Sequence, residues 1–360
     1  MTTGSYYTSE LFLKKMEVCV TGGTGYIASC IIRKLLEKGY KVRTTVRNTK
    51  DKKRLNVLLN FPGAEERLTI MRADLMEEGS FDEALKGVQG VFHCACPVLP
   101  PNESGTDPEL TMVDPSVKGT LNVLGACVRS STVERVVMTS SCSAVRYDYN
   151  RSDHDEPLDE TCWSNPDYCR DQQMWYALAK TLAEKEAWKF AKEHNLDLVV
   201  VNPSYVIGRF PTPVPSSTVL YILYLVQGRT EIYPNQIIGF VHIDDVVSAH
   251  ILVYEKSEAC GRYICSSLTA HWREILSAIR KKFPHLLLPS RCKEGNAELI
   301  PHTMTSNKIT QLGLKGFKSL DQMLNDALDD FAEKGLLPLD HEIMANLVVD
   351  DSQSINENPH

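Results

Sequence analysis

EVCVTGGTGYIASCIIRKLLEKGYKVRTTVRN, residues 17–48, holds a complete strand–helix–strand unit. EVCVT is short, apolar and β-branched, as a buried strand requires, and YIASCIIRKLLEKG repeats its apolar residues at helical spacing. KVRTTVR returns to the strand pattern. Between strand and helix stands Gly23-x-Gly25-x-x-Ala28, in the position that the dinucleotide fingerprint requires. Glycines there let backbone and pyrophosphate approach each other, and the helix N-terminus supplies unpaired amides to an anion. The competing reading is a plain tight turn, and the repetition that follows weighs against it.

Outward from this unit the alternation continues. A helix is expected near 51–60, then the strand LTIMRADL, a helix near 80–86, the strand GVFHCA and a helix near 112–129. The strand RVVMTSS, a long helix near 171–194 and the strand LDLVVVNPS complete it. Repeated βαβ units predict an α/β fold, a doubly wound parallel sheet of Rossmann type with helices on both faces. The reading divides the chain into a leader (1–14, expected to be disordered), a cofactor domain (15–205), a smaller mixed substrate-binding region (206–340) and a polar tail (341–360). The boundary rests on prolines crowding 211–215, after which FVHIDD and RYICSS read as isolated strands.

The 360 residues carry a net charge of −7, which gives no basic footprint for nucleic acid. No apolar run has the length of a membrane span. The leader contains Glu10 and no signal-peptide core, so a cytoplasmic location is expected, with a small molecule as partner and a monomer or homodimer as the assembly. Eleven scattered cysteines without a secretory signal argue for reduced thiols. Cys94 and Cys96 lie in VFHCAC, which reads as a buried strand, and no further Cys/His cluster completes a metal set. Cys162 and Cys169 flank a loop and read as ordinary thiols, with pairing under oxidation the alternative.

The tip of the second strand chooses between cofactors. An acid there would take the ribose hydroxyl of NAD, whereas arginine accommodates the 2′-phosphate of NADP. RTTVRNTKDKKR (43–54) has no acid at the strand tip, so Arg47 is the natural phosphate ligand, with Lys53 or Arg54 closing from the next helix. A solvated basic run is the alternative. Asp74 is placed to accept from an adenine amino group or to cap a helix.

Of fourteen tyrosines only Tyr176 is followed by lysine four positions on, in WYALAK. Residues i and i+4 share a helix face, so the Lys180 ammonium can favour the phenolate of Tyr176 and make it a proton donor near neutral pH. Lys180 can also hold the nicotinamide ribose. Ser141 closes the strand string RVVMTSS, at the carboxyl edge where such sheets bind ligands; strand alternation lets only one of Ser140 and Ser141 face the cleft and does not choose.

With these residues in place, the chain resembles the extended short-chain dehydrogenase/reductases of the plant dihydroflavonol reductase and cinnamoyl-CoA reductase group. The resemblance runs through VCVTGGTGYIAS, ADLMEEGSFDEA, GVFHCACPV, KGTLNVL, MTSSCSAVR, DETCW, WYALAKTLAEKEAW, VVVNPSYVIG, FVHIDDV and GRYICSS. Within the group it is most similar to tetraketide α-pyrone reductases, through SSCSAVRY, FVHIDDVVSAH, AHWREI and PHTMTSNKI. The resemblance implies a catalytic Ser141 with Tyr176 and Lys180. It implies NADP contacts from the loop Gly22, Gly23, Thr24, Gly25, Tyr26 and Ile27, and from Arg47, Arg54, Asp74 and Leu75. It adds Cys94, Ala95 and Cys96 at a strand end, then Pro203, Ser204, Val206 and Thr218.

The implied activity is NADPH-dependent reduction of a carbonyl on a hydrophobic plant polyketide or phenolic, foremost a tetraketide α-pyrone of the sporopollenin precursor pathway. A cinnamoyl-CoA, dihydroflavonol or aldehyde reductase comes second, and an NADP-sensing binding protein is the reading from another class. A nucleotide-sugar epimerase would share the triad but keep NAD, against which Arg47 counts. Two places depart from the pattern: Ser116 stands where many short-chain reductases carry asparagine, and WYALAK replaces the NWYCYGK usual in cinnamoyl-CoA reductases. Arg146 either pairs with an acidic substrate hydroxyl or covers apolar surface with its stem. His93 and His242 read as structural histidines.

Overall fold

β1 (Glu17–Thr21) lies between two parallel partners, Val18 standing opposite Val42 of β2 (Lys41–Val46) on one side and Gly90 of β4 (Gly90–His93) on the other. This is the point at which the strand order reverses. The sheet continues through β3 (Leu68–Arg72) beyond β2, and through β5 (Arg135–Thr139), β6 (Leu198–Pro203) and β10 (Gly261–Cys265) beyond β4, seven strands in the order β3-β2-β1-β4-β5-β6-β10. The computed structural model describes residues 16–97, 107–148, 156–294 and 302–337, so the expected leader and tail lie outside the described residues.

Strand alternation separates two apolar layers. Val18 and Val20 join the layer that packs against α1 (Tyr26–Glu37) and α6 (Ile243–Glu255), while Cys19 between them joins the layer against α3 (Asp114–Arg129) and α4 (Trp175–Glu193). Val199 and Val201 of β6 face the first layer, Leu198 and Val200 the second. Both faces are covered, which is why these strands read as continuous apolar runs rather than alternating ones. Each fully buried valine, leucine or isoleucine contributes about 1.5–3 kcal/mol.

A second, three-stranded sheet joins β7 (Tyr205–Ile207), β9 (Ile237–His242) and β11 (Leu268–His271), and β8 (Ile232–Tyr233) pairs with β12 (Arg291–Cys292). Helices α2 (Lys52–Leu59), α5 (Ser217–Val226), α7 (Trp272–Lys282) and α8 (Leu320–Glu333) complete the main elements.

Four expectations are corrected. RYICSS is not isolated: Gly261–Cys265 forms the seventh strand of the main sheet, so the chain past residue 206 returns to the Rossmann unit. FVHIDD divides, the strand ending at His242, whose ring caps α6 by accepting from Asp244 N at 3.0 Å. The long helix expected near 171–194 begins only at Trp175, because Gln173 takes φ of 54° and separates it from the short helix Pro166–Asp171. The strand in VFHCAC stops at His93 and leaves Cys94–Cys96 in the loop beyond.

Candidate active site

The glycine turn is fitted to its surroundings. Gly22, rather than Gly23, holds the left-handed backbone, with φ of 72°, and a Cβ on it would stand 3.0 Å from the Cα of Ala95. Thr21 Oγ1 accepts from Ala95 N at 3.0 Å and keeps that loop in place. A Cβ on Gly23 would lie 2.1 Å from Thr44 Oγ1. Gly25 caps α1, no side chain bonds the first amides, and the first turn has no acidic residue, so the helix end presents donors and a positive dipole to the cleft. This is the chemistry a pyrophosphate fits. Tyr26 turns inward and donates to Gly208 O at 3.1 Å.

Arg47 is exposed at the tip of β2, and Lys53 and Arg54 are exposed on α2. Arg54 stands 3.4 Å from Asp51, and a half-exposed pair of this kind holds it only weakly. Asp74 Oδ1 accepts from Met76 N at 2.9 Å, so one carboxylate oxygen caps its own turn. Leu75 is buried in the layer under α3, where it packs against Gly119.

Two cavities meet over the carboxyl edge of the sheet. The first, of about 490 Å³, is lined by Gly25, Tyr26, Ile27, Cys94, Cys96, Pro203, Ser204, Val206 and Thr218 among the cofactor candidates, and by Ser141, Tyr176 and Lys180. Gly22, Gly23, Thr24, Ala95, Arg47, Lys53, Arg54, Asp74 and Leu75 do not line it. The second cavity, of about 380 Å³, shares Ser141, Tyr176, Ser204, Ser217 and Thr218 with the first and adds Arg146, Tyr205, Trp272 and Met304.

Tyr176 is 51 % exposed at the junction. Lys180, one turn on, is buried, donates to Thr139 O at 3.4 Å and places its ammonium 6.0 Å from the Tyr176 ring centre. Burial opposes its charge, but Cys96, Tyr176 and Glu184 outweigh that and hold the ammonium above the ordinary lysine range. The same charge joins burial in pushing neighbouring His93 down to about 3, so His93 is neutral; its Nδ1 lies 3.0 Å from Thr21 Oγ1.

The two serines take different places. Both line the first cavity, so the expectation that only one faces the cleft is corrected; Ser140 is buried, does not reach the second cavity and donates to Glu184 Oε2 at 2.5 Å. Ser141 lines both cavities and caps the short 3₁₀ turn Cys142–Ala144 by accepting from Ser143 N at 3.1 Å. Arg146 leans on the Tyr147 ring, 4.4 Å from its centre, and donates to Ile237 O at 3.4 Å, which orients its guanidinium along the second cavity.

Residues 18–266 match the model of the NAD dependent epimerase/dehydratase family. The chain belongs to that family. Within it the chain is a reductase of the plant extended short-chain group. It is 50 % identical over 322 residues to tetraketide alpha-pyrone reductase 2 of Arabidopsis thaliana, covering 89 % of this chain and 99 % of that one. Alfalfa vestitone reductase superposes with a TM-score of 0.76 at 34 % identity over 90 % of this chain and all of that one. A yeast methylglyoxal/isovaleraldehyde reductase complexed with NADPH gives 0.76 at 25 %, over 89 % of this chain and all of that one.

In this member of the family, sequence reading overlooked Glu184, Asn202 and Arg262, which form a buried polar group behind Ser141. A signal existed for Glu184, four residues past Lys180 on the same helix face. None existed for Asn202 and Arg262, which lie in strand strings. Cys162 and Cys169 pack in separate clusters, and the Cys162 thiol lies 3.7 Å from Asp159 Oδ1. His242, Asp244 and Asp326 gather with the spacing of metal ligands, but Lys318 Nζ stands 2.7 Å from Asp244 and 3.1 Å from Asp326 and supplies the positive charge there. Among the described residues no helix is long and apolar enough to cross a membrane.

Proposed function

We propose that the chain uses NADPH to reduce a ketone on an acidic, conjugated ring, a tetraketide α-pyrone being the substrate that fits best. The observation that carries this is the sharing of Ser141 and Tyr176 by two cavities, only one of which contains Lys180 and the open end of α1. That end and the glycine turn suit a pyrophosphate, and Arg47 and Arg54 suit a 2′-phosphate. NADPH bound there supplies hydride.

In this reading Ser141 Oγ donates to the substrate carbonyl as negative charge develops on its oxygen. Tyr176 gives that oxygen a proton. Lys180 stays charged beneath the phenol, favours its ionised form after transfer, and holds the ribose. Tyr205 and Trp272, edge to face with centroids 5.4 Å apart, form an apolar wall in the second cavity. Among the described residues Arg146 is the one basic side chain lining that cavity, and it pairs with an enolate or acidic hydroxyl. NADPH oxidation against a tetraketide pyrone, a dihydroflavonol, cinnamoyl-CoA and phenylacetaldehyde, with products identified, tests the reading. Preference for the pyrone, weakened in Arg146→Met, is expected, whereas turnover of cinnamoyl-CoA alone would replace it.

A further inference from the structure

We propose that Glu184 and Arg262 are positioning residues that set Ser141 against Tyr176 and Lys180. The proposal rests on the reductase reading given above. Glu184 lies on α4 one turn past Lys180 and two past Tyr176, and is fully buried. Its Oε2 accepts from Ser140 Oγ at 2.5 Å and from Asn202 Nδ2 at 2.9 Å. Asn202 Nδ2 donates also to Ser141 O, at 3.2 Å. One carboxylate thus grips the residue before Ser141 by its side chain and, through a single amide, the carbonyl of Ser141 itself. The peptide that carries the hydroxyl is held from both sides.

Oε1 of the same carboxylate accepts from Arg262 Nε at 2.6 Å and from Trp188 Nε1 at 3.3 Å. The remaining guanidinium nitrogens of Arg262 donate to Glu160 O at 3.1 Å, Cys162 O at 2.6 Å and Ala144 O at 3.3 Å. Its plane covers the Trp163 ring at 3.7 Å. Arg262 therefore joins four parts of the molecule: β10, the catalytic helix, the turn after Ser141 and the DETCW string.

A buried ion pair is a poor source of net stability, because desolvating both charges offsets their attraction and an apolar pair of equal size often serves better. Its value here is geometric. The carboxylate is rigidly coupled to the helix that bears Tyr176 and Lys180, and it determines where the serine loop stands relative to that helix. Misplacing a reacting group by about 1 Å can cost on the order of a hundredfold in rate.

A double-mutant cycle on kcat tests this. Glu184→Gln keeps the shape and removes the charge; it should lower kcat by about ten- to a hundredfold with KM and the NADPH dissociation constant within about twofold of the parent. In a Ser141→Ala background the same change should cost less than about twofold, because no serine remains to be positioned. Equal losses in both backgrounds, or a Glu184→Gln variant with parental kcat, would overturn the proposal. If Glu184→Gln does not fold, Asn202→Ala, which leaves the ion pair intact and cuts the link to Ser141 O, takes its place with the same expected coupling and the same overturning result. Tyr176→Phe, run in parallel, reports on the reductase reading itself, since unchanged turnover there sinks that reading whatever the cycle gives.

Discussion

A methyl group on Gly23 would stand 2.1 Å from Thr44 Oγ1, which itself donates to Val20 O at 2.7 Å. The glycine turn is therefore sized by a side chain of the neighbouring strand. A Gly22 methyl group meets backbone instead, the Cα of Ala95, and Gly22 also has the left-handed φ that L side chains rarely adopt.

The two glycines should respond differently to repair. Gly22→Ala and Gly23→Ala should each weaken NADPH binding by at least tenfold, and adding Thr44→Ala should restore most of the loss for Gly23→Ala and none for Gly22→Ala. Fluorescence titration with NADPH measures both. Rescue of Gly22→Ala by Thr44→Ala would show that the clash lies elsewhere.

Arg47 tests cofactor choice. Its guanidinium is exposed at the strand tip with no ion-pair partner among the described residues, so it is available to a 2′-phosphate. Arg47→Ala removes one or two charge-assisted bonds worth about 1.5–3 kcal/mol each, and should reduce the preference for NADPH over NADH at least tenfold. Equal affinity of the parent for both cofactors removes the basis of the NADPH assignment.

What sequence made legible follows from how local the physics is. The βαβ unit at 17–48 was readable because a buried parallel strand and an amphipathic helix each announce themselves within about a dozen residues. The place of GRYIC as seventh strand was not, because joining β6 is decided by a partner some sixty residues away. The glycine turn was readable from spacing, yet the fingerprint spelling began at Gly23 while the backbone turns at Gly22. Ser140 and Ser141 are symmetrical in the string TSSCS; what separates them is Glu184, whose carboxylate takes the Ser140 hydroxyl, so that Ser140 lines the first cavity only while Ser141 reaches both. Leu75 and Asp74 illustrate the opposite case: the string ADL gave their position, but Leu75 is turned into the layer below and half of Asp74 is occupied by Met76 N.

Acid should destabilise the fold before its carboxylates titrate. Burial and Lys180 lower His93 to about 3, and burial lowers His250, which lies 2.8 Å from Thr139 Oγ1, to about 4. Unfolded histidines titrate near 6.5, so at intermediate pH the unfolded chain binds more protons than the native one. The stability these groups lend is fully present above about pH 6.5 and is lost as pH falls toward 4 and 3. Each should add about 1.4 kcal/mol per pH unit to the slope between pH 6 and 4.5. His242 and His271 are lowered too, burial being the main cause, and add to it. Urea unfolding across that range measures the slope, and His250→Gln should reduce it by one histidine's share. A flat profile in the parent would mean that these rings are protonated in the native state.

The mechanism stands on the separation of Tyr176 from Lys180. Tyr176→Phe keeps the ring at the junction of the cavities and removes its proton, so reduction should stop while NADPH binds within about twofold of the parent. Lys180→Ala removes the buried ammonium that lies beneath the phenol and lines the first cavity, where the proposed function places NADPH. It should therefore damage both turnover and NADPH affinity. It also takes away the charge that helps keep His93 neutral, so in this variant the His93 resonance should titrate at higher pH than in the parent. The pair of variants separates proton donation from cofactor holding in a single set of titrations. A phenylalanine variant that turned over within a few-fold of the parent would show that the acid is another group or solvent, and would leave the conserved volume of the ring, not its hydroxyl, as the contribution of Tyr176.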